Sequence, residues 1–243
     1  MPTPPAPHAA ARAATAVERA AAALARLRRG RLLHPAGRSF TGEVLIWGTP
    51  GPPTGVHLLD GPGRYRATVR LSKGTPTPGG WPDVLGLALR MHTEVGRPFD
   101  LLVSSSGAAP LLRNVPLPRR RFTGTYSTIM SYRVGRRRLW LAALPDPDSV
   151  DLGRGLAELA AATRAEAPRM VIAVASAVGP WRPVGQVSIG DQLSAREDAA
   201  LAFDPVGNLP AELRAAGPLT WLRDQTYRGS RRARGATVSP AAR

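Results

Sequence analysis

The sequence contains no cysteine. Disulfides, thiolate metal centres and cysteine nucleophiles are therefore excluded. Histidine is scarce as well. His8, His34, His57 and His92 are scattered over 243 residues, so no histidine-rich metal cluster is visible. Lys73 is the only lysine among 33 basic residues, and 17 acidic residues leave a formal charge of +16 carried by arginine. That charge invites a polyanion-binding reading. The abundance of alanine, glycine and proline beside arginine has the look of a GC-rich coding bias, which weakens it. No apolar run approaches the roughly 20 residues of a membrane span. The opening MPTPPAPHAA lacks the basic start and apolar centre of a signal peptide. A cytoplasmic protein is the default expectation.

Apolar residues make up 43% of the chain, a globular composition. Residues 1–8 are proline-rich and expected to be disordered, as is a tail over 236–243, leaving a single domain over 9–235. Ala-rich residues 9–29 read as a helix stopped by Gly30. TGEVLIWGT reads as a strand. RYRATVRLSKG alternates, with Tyr65, Ala67, Val69 and Leu71 on one face and Arg64, Arg66 and Arg70 on the other. PDVLGLALRMHT fits a short helix or a strand, and Gly86 lets backbones pack closely. FDLLVSSS is a strand running into a polar turn, and YSTIMSYRVGRRRLWLAALP is two strands around Gly135. LGRGLAELAAATRAEA is a helix, RMVIAVASAV an apolar strand, SAREDAALAFDP a mixed stretch, and PLTWLRDQTYRGSRRARG a closing helix with a basic end. Strands without regular βαβ alternation point to an α+β protein, an antiparallel sheet or barrel with helices attached.

Arg223 and Tyr227 are four residues apart, which places them on one helical face. A guanidinium beside a phenol favours the phenolate. Tyrosinate is a hard anionic ligand suited to ferric iron, and it is the axial haem ligand of catalases. An ordinary helical Arg/Tyr pair is the bland alternative.

The surrounding residues carry a resemblance. Phe203, Pro205 and Pro210 precede the Arg223/Tyr227 pair, and Arg234 follows it. Arg31, His34, Gly37 and Gly42 stand in GRLLHPAGRSFTGEV, and Arg70 and Ser72 stand in VRLSKG. PDVLGLALRMHTEVGRPFDLLV and YSTIMSYRVG follow in order. Over most of residues 31–235 this set resembles the catalase superfamily, and within it the short, catalase-related bacterial branch. The resemblance implies an antiparallel β-barrel with helices packed outside it. It also implies a haem cofactor lying between the barrel and the C-terminal helix. Tyr227 would be the iron ligand and Arg223 its support. Arg31, Arg70 and Arg234 would grip the haem propionates, since buried carboxylates need cationic, bidentate partners. His34 would be the distal histidine that moves a proton between peroxide oxygens. Ser72 would orient it.

The chain departs from the family at the distal asparagine, whose position falls on Ser104. Ala108 and Ala109 stand where aromatic residues normally narrow the pocket. A roomier site and weak catalase activity at most are expected. The threading arm and C-terminal domain of large catalases have no counterpart, which favours a monomer or simple dimer. The leading reading is a haem-dependent, peroxidase-like enzyme acting on hydrogen peroxide or organic hydroperoxides. Alternatives are a non-catalytic haem-binding protein, a fold that has lost haem, a basic polyanion-binding module, and a phosphodiesterase. No His/Asp cluster supports the last. Nucleic acid is disfavoured because the arginine runs 119–121 and 136–138 lack interleaved aromatics and read as solvated surface. Asp146 and Asp148 read as a turn and helix-start signal, His57 and His92 as structural or surface residues, and Trp140, Trp181 and Trp221 as core or pocket wall.

Overall fold

In the second of the strands read from sequence, every other residue is apolar, and a surface of that pattern needs another sheet face to bury it. The computed structural model describes residues 36–93 and 97–216. The helix expected over 9–29, the closing helix at 218–235 and both domain boundaries lie outside the described residues.

Within them the chain forms β1 (Ala36–Ile46), β2 (Gly63–Lys73), β3 (Leu85–His92), β4 (Phe99–Ser105), β5 (Tyr126–Ser127), β6 (Tyr132–Val134), β7 (Arg137–Pro145), β8 (Arg169–Ala175), β9 (Arg182–Gln192) and β10 (Arg214–Ala215). Three short helices, α1 (His57–Asp60), α2 (Leu156–Ala165) and α3 (Ala195–Ala200), interrupt them. The order β7-β5-β4-β3-β2-β1-β9-β8, with β8 pairing back onto β7, closes an eight-stranded antiparallel barrel. β10 and β6 extend from one end of β7. The segment left open between helix and strand is β3. No helix among the described residues is long and apolar enough to cross a membrane.

The inner face is filled. Phe40, Val44, Val69, Leu71, Leu87, Leu89, Leu101, Leu141, Ile172 and Val187 are all buried in one cluster. An eight-stranded barrel is just wide enough to be filled by such side chains. The outer face of β2 splits: Arg64 and Arg66 are exposed, whereas Arg70 is buried at 4% exposure.

β9 went unread in the sequence, yet it closes the barrel by pairing with β1 and β8. Gly185 is required there. A Cβ at that position would lie 2.5 Å from the Leu45 carbonyl oxygen and 2.7 Å from Ile46 Cδ1. Asp146 locks the far seam. Its carboxylate accepts from the Asp148 amide at 3.0 Å, Arg169 Nε at 3.1 Å and Gln186 Nε2 at 2.7 Å. The Asp148 amide first, then the Arg169 guanidinium and the Gln186 amide, hold this carboxyl below the ordinary range. Asp146 therefore makes the expected turn, but it starts no helix: α2 begins ten residues on, at Leu156, after Gly155.

Candidate functional site

The interior is an apolar core, and the side chains that alternate with it along each strand stand on the outer wall. Cross-strand register sets them in rows. Gly37, Ser72, Gly86, Ser104 and Ser127 lie opposite one another across β1 to β5, and the row continues through Ala142 and Ala173. Nothing in it is larger than serine. Beside it runs a second row, Ser39, Arg70, Ala88 and Leu102. Directly opposed residues share a face of the sheet, so these side chains form one low floor. Ser39, Arg70 and Ser72 are buried in it, and Ala88, Leu102 and Ser104 are half-buried.

Arg70 is held from the side. Its Nε lies 3.4 Å from Asp198 Oδ1, and Ser39 Oγ donates to the same oxygen. Gly37 makes room for it, because a Cβ there would lie 2.6 Å from Arg70 Nη2. Asp198 reaches this place on α3. That single helical turn is fixed by a capping box in which Glu197 N donates to Ser194 Oγ at 3.2 Å and Ser194 N donates to Glu197 Oε2 at 2.8 Å.

Ser72 and Ser104 flank Gly86 in adjacent strands. At about 5 Å per strand their backbones are roughly 10 Å apart. Ser72 Oγ donates to the Gly86 carbonyl at 3.3 Å. Its proton is thus committed to the wall, and its lone pairs are left to accept. The Ser104 hydroxyl makes no hydrogen bond to another described residue. Ala108 and Ala109 are exposed in the loop after β4, and the Ala108 carbonyl accepts from Trp181 Nε1 at 2.9 Å.

Of the residues singled out in the sequence, Arg70, Ser72 and Ser104 come together on this face. Arg31, His34, Arg223, Tyr227 and Arg234 lie outside the described residues, as does Trp221. Trp140 is buried in the barrel wall, and Trp181 lies under a guanidinium. His57 opens α1, while His92 closes β3 with Nε2 3.0 Å from Thr68 Oγ1. In the run 119–121, Arg120 and Arg121 are exposed as expected and Arg119 is half-buried: Arg119 donates to the Ser106 carbonyl at 2.9 Å, Arg120 donates to the Gly80 carbonyl at 3.1 Å, and Arg121 pairs with Asp151 at 3.1 Å.

Three features escaped sequence reasoning. Asp198 is one, although the Ser-x-x-Glu signature before it was there to be read. Arg113 is another. It is fully buried, donates to the Ser176 and Gly179 carbonyls at 2.8 and 2.7 Å, and lies 4.4 Å from the Trp181 ring. Burial lowers its pKa. In an arginine-rich chain nothing marked it out. The third is a clamp. Asp100, fully buried, accepts from Arg90 Nε at 2.7 Å and Nη2 at 2.6 Å, from Asp204 N at 2.6 Å and from Asn208 Nδ2 at 2.9 Å. Arg90 also donates to the Ala202 carbonyl at 2.7 Å and lies over Phe203. Hydrogen bonding to Asp100 raises the Arg90 pKa. The clamp straps the loop of Phe203, Pro205 and Pro210 to the outer wall.

No family model matches the sequence, and no curated protein matches it. Solved structures do. A fungal catalase superposes with a TM-score of 0.68 at 13% identity, over 88% of this chain and 62% of that one. A bacterial catalase superposes with a TM-score of 0.56 at 15% identity, over 90% of this chain and 62% of that one. The fold is that of the catalase barrel. The chain spans less than two thirds of either catalase, and likeness at these identities carries the fold alone.

The clamp yields a prediction. Removing one partner of a buried ion pair leaves a stranded charge, so Asp100→Ala should lower unfolding stability by about 3–5 kcal/mol. Replacing both partners, as Arg90→Met with Asp100→Leu, should recover most of that. Denaturant unfolding of the three proteins checks it.

Proposed function

We propose that the outer face of β1–β4 is one wall of a haem pocket. On this reading the protein is a catalase-related haem protein with peroxidase-like activity and weak catalase activity at most. One observation carries the proposal: on a catalase-fold barrel, a floor of residues no larger than serine runs beside a guanidinium buried at 4% exposure. A flat macrocycle needs such a floor, and its carboxylates need such a cation. The described residues fit haem on this side.

Arg70, positioned by Asp198 and Ser39, would hold a propionate together with Arg31 and Arg234. Tyr227 would ligate iron as a phenolate, with Arg223 stabilising its charge. Haem, when bound, would supply the redox chemistry of peroxide. On this reading His34 would be the distal histidine that carries a proton between peroxide oxygens, and Ser72 would orient it and fix its tautomer. Ser104 would offer a shorter, single donor where the family has an amide. Ser104, Ala108 and Ala109 also support the second reading, a haem-binding protein without turnover. The proposed molecule is cytoplasmic, with one domain over 9–235, and acts as a monomer or simple dimer.

Haemin titration followed by visible absorption tests the reading. The wild type should bind one equivalent. Ala88→Phe, which raises a bulky ring from a half-buried position of the floor, should fold normally by circular dichroism and bind far more weakly. A wild type that binds no haemin, or an Ala88→Phe variant that binds as tightly, would refute it. If haem binds, Ser104→Asn should raise peroxide turnover by about 10²–10³, the usual scale for one transition-state donor. Unchanged oxygen evolution would favour the non-catalytic reading.

A further inference from the structure

A second arginine array stands elsewhere on the molecule and does not rest on the haem reading. Register sets Arg214 of β10 opposite Arg133 of β6, and Arg133 opposite Arg138 of β7. All three are exposed. Tyr132, Val134, Leu139 and Leu213 alternate with them and are buried, so the three guanidinium groups rise from one face of a three-stranded sheet. Gly135, at φ 56°, makes the tight turn that brings Arg133 and Arg138 together, and exposed Arg136 sits at its tip.

Like charges directly opposed on adjacent strands destabilise a sheet. Elsewhere this chain supplies counter-charges: Glu43 to Arg64, Asp151 to Arg121, Asp146 to Arg169. Among the described residues, no carboxylate lies within ion-pair distance of Arg133, Arg136, Arg138 or Arg214. Glu212, close in sequence, accepts instead from the His57 amide at 3.3 Å. Arg137 faces the other way and donates to the Pro53 and Thr54 carbonyls at 3.2 and 3.0 Å, which braces the hairpin.

We infer that this row is a docking surface for double-stranded nucleic acid, contacted through its phosphates. Three exposed cations on adjacent strands, their backbones about 5 Å apart, suit a partner whose negative charge is dense and repeated along a strand. Among the described residues, the exposed large apolar side chains are Leu45, Trp47, Trp81, Leu111, Leu112, Val115, Val178 and Val206, none of them on β6, β10 or the β6–β7 turn. Stacking on unpaired bases and insertion into a bilayer both call for such residues beside the cations. Phosphate contact on a duplex does not. The surface positions a duplex without reading its sequence.

The test uses the full chain and a fluorescent 20-base-pair DNA duplex, with anisotropy measured over a salt series. Replacing Arg133, Arg138 and Arg214 together by serine should flatten the slope of log K against log salt by about 2–3, the loss expected for three phosphate contacts. Lysine at the same three positions should keep the slope. A charge-matched control, with serine at exposed Arg64, Arg66 and Arg164, should also keep it. Thermal unfolding of the serine variant should not fall below wild type, since a like-charge row has been removed. The inference is overturned by a wild type that fails to bind duplex, by row and control variants that lose binding equally, or by row-dependent binding to phosphatidylserine vesicles in place of duplex.

Discussion

The hydrogen bonds that β9 makes to β1 on one side and to β8 on the other close the sheet, and the rest of the molecule follows from that closure. A closed sheet has no edge to protect. It has an inside, which at eight strands is filled by Phe40 and the aliphatic and aromatic side chains around it. A ligand therefore cannot sit in the barrel. Among the described residues, the polar side chains that alternate with this core stand on the outer wall, where a ligand could reach them.

The outer wall uses arginine in contrasting ways. Arg70 is buried, braced by Asp198 and given room by Gly37. Arg90 is spent on Asp100 and straps down the loop of Phe203 and Pro210. Arg113 fixes two loops against one another through two carbonyls and the Trp181 ring. Arg133, Arg138 and Arg214 stand exposed in a row, with no counter-charge among the described residues. A formal charge of +16 thus resolves into buried, ion-paired and exposed arginines that composition cannot separate.

Where periodicity was strong, the fold was legible. Ala67, Val69 and Leu71 marked the inner face of β2, and RMVIAVA marked β8. β9 was not legible. Proline and glycine usually interrupt strands, and β9 holds Pro183, Gly185 and Gly190; Pro183 flanks a bulge and Gly185 is demanded by the approach of β1. β3 stayed ambiguous because LGLALRMH has no polar residue on its outer face before Arg90; a floor of Gly86 and Ala88 looks like a helix or a core strand to any pattern. Of the site, Arg70, Ser72 and Ser104 were nameable from motif order. Asp198 and Asp100 were not, because their partners are set by tertiary register and not by spacing.

If this outer wall belongs to a haem pocket ligated by Tyr227, the visible spectrum of the protein expressed with added haem will show it. The wild type should be coloured, with the absorption of phenolate-ligated ferric haem. Tyr227→Phe keeps the ring and removes the oxygen, so it should purify folded and nearly colourless. A colourless wild type would contradict the pocket, and a variant as richly coloured as the wild type would contradict the ligand.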